Sequence, residues 1–324
     1  MKKILFATTA LIATAGMAAA EVRLSGYGRF GLDYNEANKT VAGRSETNIT
    51  SRLRIQFDMS AETDSGVAFN ARTRAQIESR DGVAGTGMFN GARFGVSYGG
   101  FSMNVGNIIG AVEGASGLYL ETRTAGVGID GAGFQSLVLN TGGGSFQWDA
   151  YSSAGAGANG IEVLYSAGGF SGHISYSQAN GGAVPGKANG TQRTAANIAY
   201  SFGDWTAALA VQDSNVVGED KVFASIAGDL GQFGVRLAYG QNKDAGGVGV
   251  DIDKFGLYGN VDLGSSSNLL VFVTSEDAPG MASDGTGYGA HYSYDLGGGA
   301  SFEAGVIETS TDMTTVQAGV YFSF

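Results

Sequence analysis

The chain contains no cysteine, two prolines and two histidines in 324 residues. Without cysteine there is no disulfide framework and no thiolate metal site. Proline deletes a donor from a β-ladder, so its confinement to Pro185 and Pro279 permits long, continuous sheet. His173 and His291 lie far apart in sequence and lack the paired spacing of a transition-metal site. Basic residues are also scarce, 19 against 30 acids, which argues against a nucleic-acid partner, since that requires basic patches. Long apolar runs are missing as well. Past the N-terminus no segment approaches the ~20 apolar residues of a membrane helix, although 43% of the chain is hydrophobic. Glycine, by contrast, is abundant at 55 residues, against the ~7% of average usage.

The first twenty residues, MKKILFATTALIATAGMAAA, are set apart. Lys2 and Lys3 precede an apolar core from Ile4, and Ala18, Ala19 and Ala20 form a small-residue cleavage pattern. Residues 1–20 are expected to be a signal peptide and 21–324 a single domain. Loss of the leader leaves 17 basic and 30 acidic side chains, a net −13.

From Glu21 onward the pattern is alternation. In SRLRIQFDMS (51–60), Leu53, Ile55, Phe57 and Met59 share one parity, and Arg52, Arg54, Gln56 and Asp58 the other. Successive side chains of a strand point to opposite faces, so one face is apolar and the other ionic. The same split recurs at 22–34, where Val22, Leu24, Phe30 and Leu32 oppose Arg23, Tyr27, Arg29 and Asp33. It recurs again at 67–78, where Phe69 and Ile77 oppose Arg72, Arg74, Gln76 and Glu78. Sixteen such runs are expected, the first near 22–34 and the last near 313–324. They are joined alternately by tiny glycine turns such as Gly99-Gly100 and Gly168-Gly169 and by longer polar connections near 35–50, 79–90, 107–159, 180–192 and 278–285. Helical periodicity is absent apart from a turn near 111–119. The topology reads as one up-and-down meander.

Which face is wet is decided by the aromatics. Tyr98 and Phe101 bracket one short turn, Phe202 and Trp205 another, and Phe170 and Phe233 each follow one. In a soluble sheet an aromatic at a hairpin end is a liability, whereas membrane barrels carry aromatic girdles at their rims. Unpaired edges are not tolerated in lipid, so the first and last strands must pair. About sixteen strands enclose an aqueous channel, where eight would be filled by side chains. Arg29, Arg52, Arg54, Arg72 and Arg74 suit only a water-filled interior, because like charges in a dry core each cost several kcal/mol. The histidines are expected to face that wet lumen. The fold expected is an all-β, 16-stranded antiparallel transmembrane barrel.

Other motifs carry little. Gly95-Val96-Ser97-Tyr98-Gly99 matches a nucleophile elbow but ends a strand at a hairpin, whereas that chemistry requires a strand-turn-helix. The glycine patterns at Gly26, Gly126 and Gly155 are matched by chance in so glycine-rich a chain and lack a crossover helix. An enzyme is not expected.

The stretches VRLSGYGRFGLDYN, SRLRIQFDMSAETDSGVAF, LYSAGGFSGHISYS and YGAHYSYDLGGGASFEAGV together resemble bacterial outer-membrane general porins of the alphaproteobacterial, purple-bacterium type. The resemblance implies a homotrimer of sixteen-stranded barrels in the outer membrane of a Gram-negative bacterium, in contact with lipid and lipopolysaccharide. It further implies that the long third loop folds into the lumen and sets acids against a basic wall. Carried onto this sequence, the acids are Glu113 and Glu121, with Asp130 a further candidate, and the wall is Arg29, Arg52, Arg54, Arg72 and Arg74. The function implied is passive diffusion of small hydrophilic solutes and ions through a charged constriction. The alternative is a structural or adhesive barrel with a blocked lumen. No cofactor is expected; bound calcium is left open.

Overall fold

A computed structural model describes residues 20–80, 82–120, 147–153, 155–179, 190–244, 249–281 and 283–324. The strands are β1 (Glu21–Asn35), β2 (Thr47–Glu62), β3 (Ala68–Arg80), β4 (Val83–Ala84), β5 (Met88–Phe89), β6 (Arg93–Tyr98), β7 (Phe101–Asn107), β8 (Asn159–Ala167) and β9 (Phe170–Gln178). They continue with β10 (Gln192–Phe202), β11 (Trp205–Ser214), β12 (Lys221–Leu230), β13 (Phe233–Asn242), β14 (Ile252–Leu263), β15 (Ser267–Asp277), β16 (Gly285–Gly297), β17 (Ala300–Glu308) and β18 (Thr314–Ser323). Neighbours pair antiparallel around one sheet, and β18 returns to β1. The ring is sealed by reciprocal backbone bonds, Gly26 N–H to the Phe324 carbonyl at 2.9 Å and Phe324 N–H to the Gly26 carbonyl at 3.0 Å.

Sixteen staves result because β4, β5 and β6 together serve as one. All three pair with β3. The connection expected at 79–90 is therefore not a free loop. β3 runs to Arg80 while β6 covers only Ala68 to Arg72 of it, and a bare strand edge inside a bilayer leaves backbone groups without partners. The short segments Val83–Ala84 and Met88–Phe89 fill that edge.

The alternation points as the residues dictate. Val22 (69% exposed), Phe30 (54%), Leu53 (42%), Phe69 and Ile77 stand on the outer surface. Arg29 (3%), Asp33 and Gln317 are buried within the barrel. Tyr98, Phe101, Phe170, Tyr200, Phe202 and Phe233 are exposed around the short-turn rim, and Phe101 lies against Tyr165 with ring centroids 4.4 Å apart. Such a ring of aromatics is favoured at a membrane–water boundary.

The seam between the first and last strands depends on a missing side chain. A Cβ on Gly26 would collide with the backbone carbonyl of Arg54 and the ring of Phe324. Gly26→Ala is expected to cost about 1–3 kcal/mol, the usual penalty of overpacking, and to lower the temperature at which the heat-shifted folded band disappears on gels. Unaltered thermal migration would contradict it.

Candidate functional site

β1, β2 and β3 set their inward residues opposite one another in rungs. Arg23 faces Asp58, which faces Arg72. Ser25, Gln56 and Arg74 form the next rung, then Tyr27, Arg54 and Gln76, then Arg29, Arg52 and Glu78. These four rungs thus hold six arginines and two carboxylates, Asp58 and Glu78. At the ends of the array Arg72 Nε donates to Asp58 at 2.6 Å, and Arg52 Nε to Glu78 at 2.6 Å. In the middle the partners are amides. Arg54 Nε donates to Gln76 Oε1 and Arg74 Nε to Gln56 Oε1, both at 2.8 Å. The same amides donate to the carboxylates, Gln56 Nε2 to Asp58 at 2.7 Å and Gln76 Nε2 to Glu78 at 3.3 Å, so arginines, amides and acids form one network along the wall. Aromatic faces hold the same groups. Arg54 lies 5.0 Å from the centroid of Tyr27, which stacks on Tyr321, and Arg74 lies 4.5 Å from that of Tyr151.

Across the lumen runs an inner segment, residues 108–120, with a series of turns but no helix. It lies inside because its apolar side chains have a wall to bury against. Ala111, Val112, Ala115, Leu118 and Leu120 pack with Ala195, Ala210, Phe223, Ala238, Tyr258, Phe272 and Ile307. The wall of β10–β17 is thus partly apolar on its inner face, a departure from simple polar-in alternation that the segment covers. Polar pins fix it further. Ser225 Oγ donates to the Ser116 carbonyl at 2.6 Å, Arg236 donates to the carbonyls of Gly117 and Tyr119, and Asn197 donates to that of Ala111.

Glu162 on β8 anchors the root of the segment. It accepts from the backbone N–H groups of Ile109 and Gly110 at 3.0 and 3.1 Å, from Arg93 Nε at 2.7 Å, and lies 3.1 Å from His173 Nε2. The returning stretch, 147–153, is held separately. Arg193 bridges Asp149 at 3.2 Å and Glu219 at 2.6 Å, while Gln212 and Lys221 donate to the Gln147 carbonyl. His173 and His291 do point inward, but both are buried beside carboxylates, Glu162 and Glu303, rather than bathed in solvent. The loop and the dense ionic packing take the space that sequence alternation assigns to water.

Glu113 is the acid of the inner segment within the described residues. Tyr119 Oη and Trp148 Nε1 (2.6 Å) donate to its Oε2. Burial raises its pKa above the ordinary glutamate value, against the opposing pull of those two donors and of the Arg74 charge. The five wall arginines expected from the sequence share neighbouring rungs, and Arg74 lies close enough to act on Glu113. Glu121 and Asp130 lie outside the described residues. The anchors Glu162, Asn197, Ser225 and Arg236 escaped the sequence reading; their inward parity was the available signal.

The Gram-negative porin family matches residues 7–314 of this chain. The chain belongs to that family. A porin of Fuscovulum blasticum is 31% identical over 247 residues, covering 76% of this chain and 82% of that protein. A porin of Rhodobacter capsulatus is 30% identical over 191 residues, 58% of this chain and 55% of the relative. Among solved structures, a multiply substituted variant of Rh. blastica porin superposes with a TM-score of 0.78 at 28% identity, covering 94% of this chain and all of that one. The porin is an outer-membrane channel for passive diffusion of small hydrophilic solutes and ions, and nothing in the comparisons favours a barrel with a blocked lumen.

Proposed function

We propose that selectivity in this channel is set between the arginine wall of β1–β3 and the acid face of the inner segment. The observation that carries this is the placement of residues 108–120 inside the barrel, with Glu113 within electrostatic reach of Arg74. At physiological salt charges act over ~8 Å, a distance comparable to the width of such a passage, so a dipolar solute must orient there. Arg29, Arg52, Arg54, Arg72 and Arg74 supply the positive side and Glu113 the negative, with Glu121 and Asp130 as further candidates. The working form is read as a homotrimer embedded in lipid and lipopolysaccharide, exported with a leader cleaved before Glu21. The exposed apolar outer face and its aromatic rim support the lipid contacts. Purified protein in a planar bilayer is expected to give stable conductance steps. Steps absent from folded protein would refute an open passage.

The raised pKa of Glu113 gives a sign to the pH response. Its carboxylate takes up a proton at a higher pH than an exposed glutamate would, so mild acidification removes negative charge from the passage and increases anion preference. In Glu113→Gln that part of the response is expected to vanish, as read from reversal potentials in a salt gradient between pH 7 and pH 4. The stability linkage runs the same way. A carboxyl whose folded pKa is raised favours the fold below its unfolded value, and the contribution is lost as pH rises through the folded one. Identical pH profiles for the two proteins would exclude Glu113 from the passage.

A further inference from the structure

We propose that the returning stretch 148–152 is the spacer of the passage, in which Trp148 and Tyr151 are positioning residues that keep Glu113 and Arg74 apart. The proposal rests on the reading that selectivity is set between those two charges, and it names the residues that fix their separation. Trp148 Nε1 donates to Glu113 Oε2 at 2.6 Å. Three positions on, the Tyr151 ring lies 4.5 Å from the Arg74 guanidinium, and Ser153 Oγ accepts from Arg74 Nη1 at 3.4 Å. One short run of chain thus grips the acid with one aromatic and the base with another. Three residues span at most about 11 Å, the scale over which charges act at physiological salt. Arg74 pulls on Glu113 electrostatically, but each is held by other groups: Glu113 by Tyr119 and Trp148, Arg74 by Gln56, Ser153 and Tyr151. Opposite charges released at such range close on one another.

The spacer is mounted on the wall by two asparagines. The stave formed by β4, β5 and β6 is interrupted at 90–92, between Phe89 and Arg93, and the returning chain bonds into that gap. Gly91 N–H donates to the Gly155 carbonyl at 2.7 Å, and a Cβ on Gly91 would strike the Ala156 carbonyl. Asn90 grips Arg74 by its backbone: its N–H donates to the Arg74 carbonyl at 2.9 Å and its Oδ1 accepts from the Arg74 N–H at 2.7 Å. The Nδ2 of the same side chain donates to the Ser152 carbonyl at 2.5 Å. Asn107 completes the clasp, donating to that carbonyl at 2.9 Å and accepting from the Ser152 N–H at 3.2 Å. Both asparagines are buried, so breaking these bonds leaves polar groups that water does not reach. Tyr151 Oη donates to the Arg72 carbonyl at 3.3 Å, and Arg193 holds Asp149 at 3.2 Å. Asn90 therefore fixes both Arg74 and the chain that carries the ring over it, while Trp148 extends the same mounting to Glu113. Buried polar networks with bonded members hold one arrangement.

The test reads reversal potentials of the purified protein in planar bilayers, in a potassium chloride gradient between pH 8 and pH 3. In Tyr151→Ala the two charges are expected to pair directly. An adjacent arginine favours the ionised carboxylate, so the midpoint of the Glu113-dependent response should fall by about one pH unit or more. The chloride-over-potassium ratio at pH 8 should fall by about two- to fivefold as Glu113 cancels Arg74. Tyr119, the other titratable group bound to Glu113, is kept in every variant. Asn90→Ser should act in the same direction, and Tyr151→Phe, which keeps the ring over Arg74, should retain the wild-type midpoint. In the Arg74→Gln background Tyr151→Ala should no longer move the midpoint, whereas general damage to the loop would move it in both. Tyr151→Leu, which retains apolar bulk, carries the comparison if the alanine variant does not fold. A Glu113-dependent response whose midpoint is unchanged by both substitutions at Tyr151 overturns the spacer and leaves the constriction reading standing. A response that survives intact in Glu113→Gln removes that reading and the spacer with it. Trp148 fluorescence in Trp205→Phe, which deletes the other tryptophan of the chain, follows the same carboxyl in detergent without any current. There too a midpoint lowered by about one unit in Tyr151→Ala supports the spacer, and an unmoved one overturns it.

Discussion

Converting Arg54 and Arg74 together to glutamine is expected to lower the chloride-over-potassium permeability ratio by about five- to thirtyfold. Two unit charges within ~8 Å of a permeant ion, in a medium between water and protein in polarisability, each contribute about 0.5–1 kcal/mol. Both guanidiniums donate through Nε to an amide, Gln76 or Gln56. The matched double change at Arg52 and Arg72 should act less, because those guanidiniums are turned onto Glu78 and Asp58 at 2.6 Å, at the two ends of the array. Reversal potentials in a tenfold salt gradient distinguish the two pairs. Equal shifts would show that the field depends only on the number of arginines and not on their rungs.

Glu162→Ala is expected to release the root of the inner segment. Glu162 is 1% exposed and serves Arg93, His173 and two backbone N–H groups at once. Removing one partner of a buried ion pair leaves the other charge uncompensated, at a cost of about 3–5 kcal/mol. The loss is local, because 108–120 retains its apolar contacts with the wall. Flickering single-channel currents and a larger mean conductance should therefore appear, along with protease cleavage within the third loop, while the heat-shifted band of the barrel persists. Glu162→Gln keeps an acceptor and should have a milder effect. Quiet, wild-type currents in the alanine variant would mean that the apolar contacts alone hold the segment.

Much of the fold was legible in the chain, and some of the site. LRIQF at 53–57 specifies an apolar and an ionic face without any knowledge of its neighbours, and sixteen such runs with alternating turn lengths specify a closed meander. The same parity identified Arg29, Arg52, Arg54, Arg72 and Arg74 as inward-facing. It could not show that Arg52 meets Glu78 or that Arg54 meets Gln76. Those pairings follow from the register of β2 on β3, which a shift of one residue would turn inside out. Nor could it show that His173, on an inward position, is covered by the inner segment and bound to Glu162.

The sequence by itself determined the number of staves, the side of each strand that meets lipid, and the residues that look inward, because period-two alternation is a property of consecutive residues. Only the tertiary structure decided which partners the inward charges meet and where residues 108–120 lie. Those depend on groups brought together from distant parts of the chain, as Arg93 and Glu162 are across 69 positions. An electrostatic interaction depends on distance in space, which the spacing of residues along the chain does not fix.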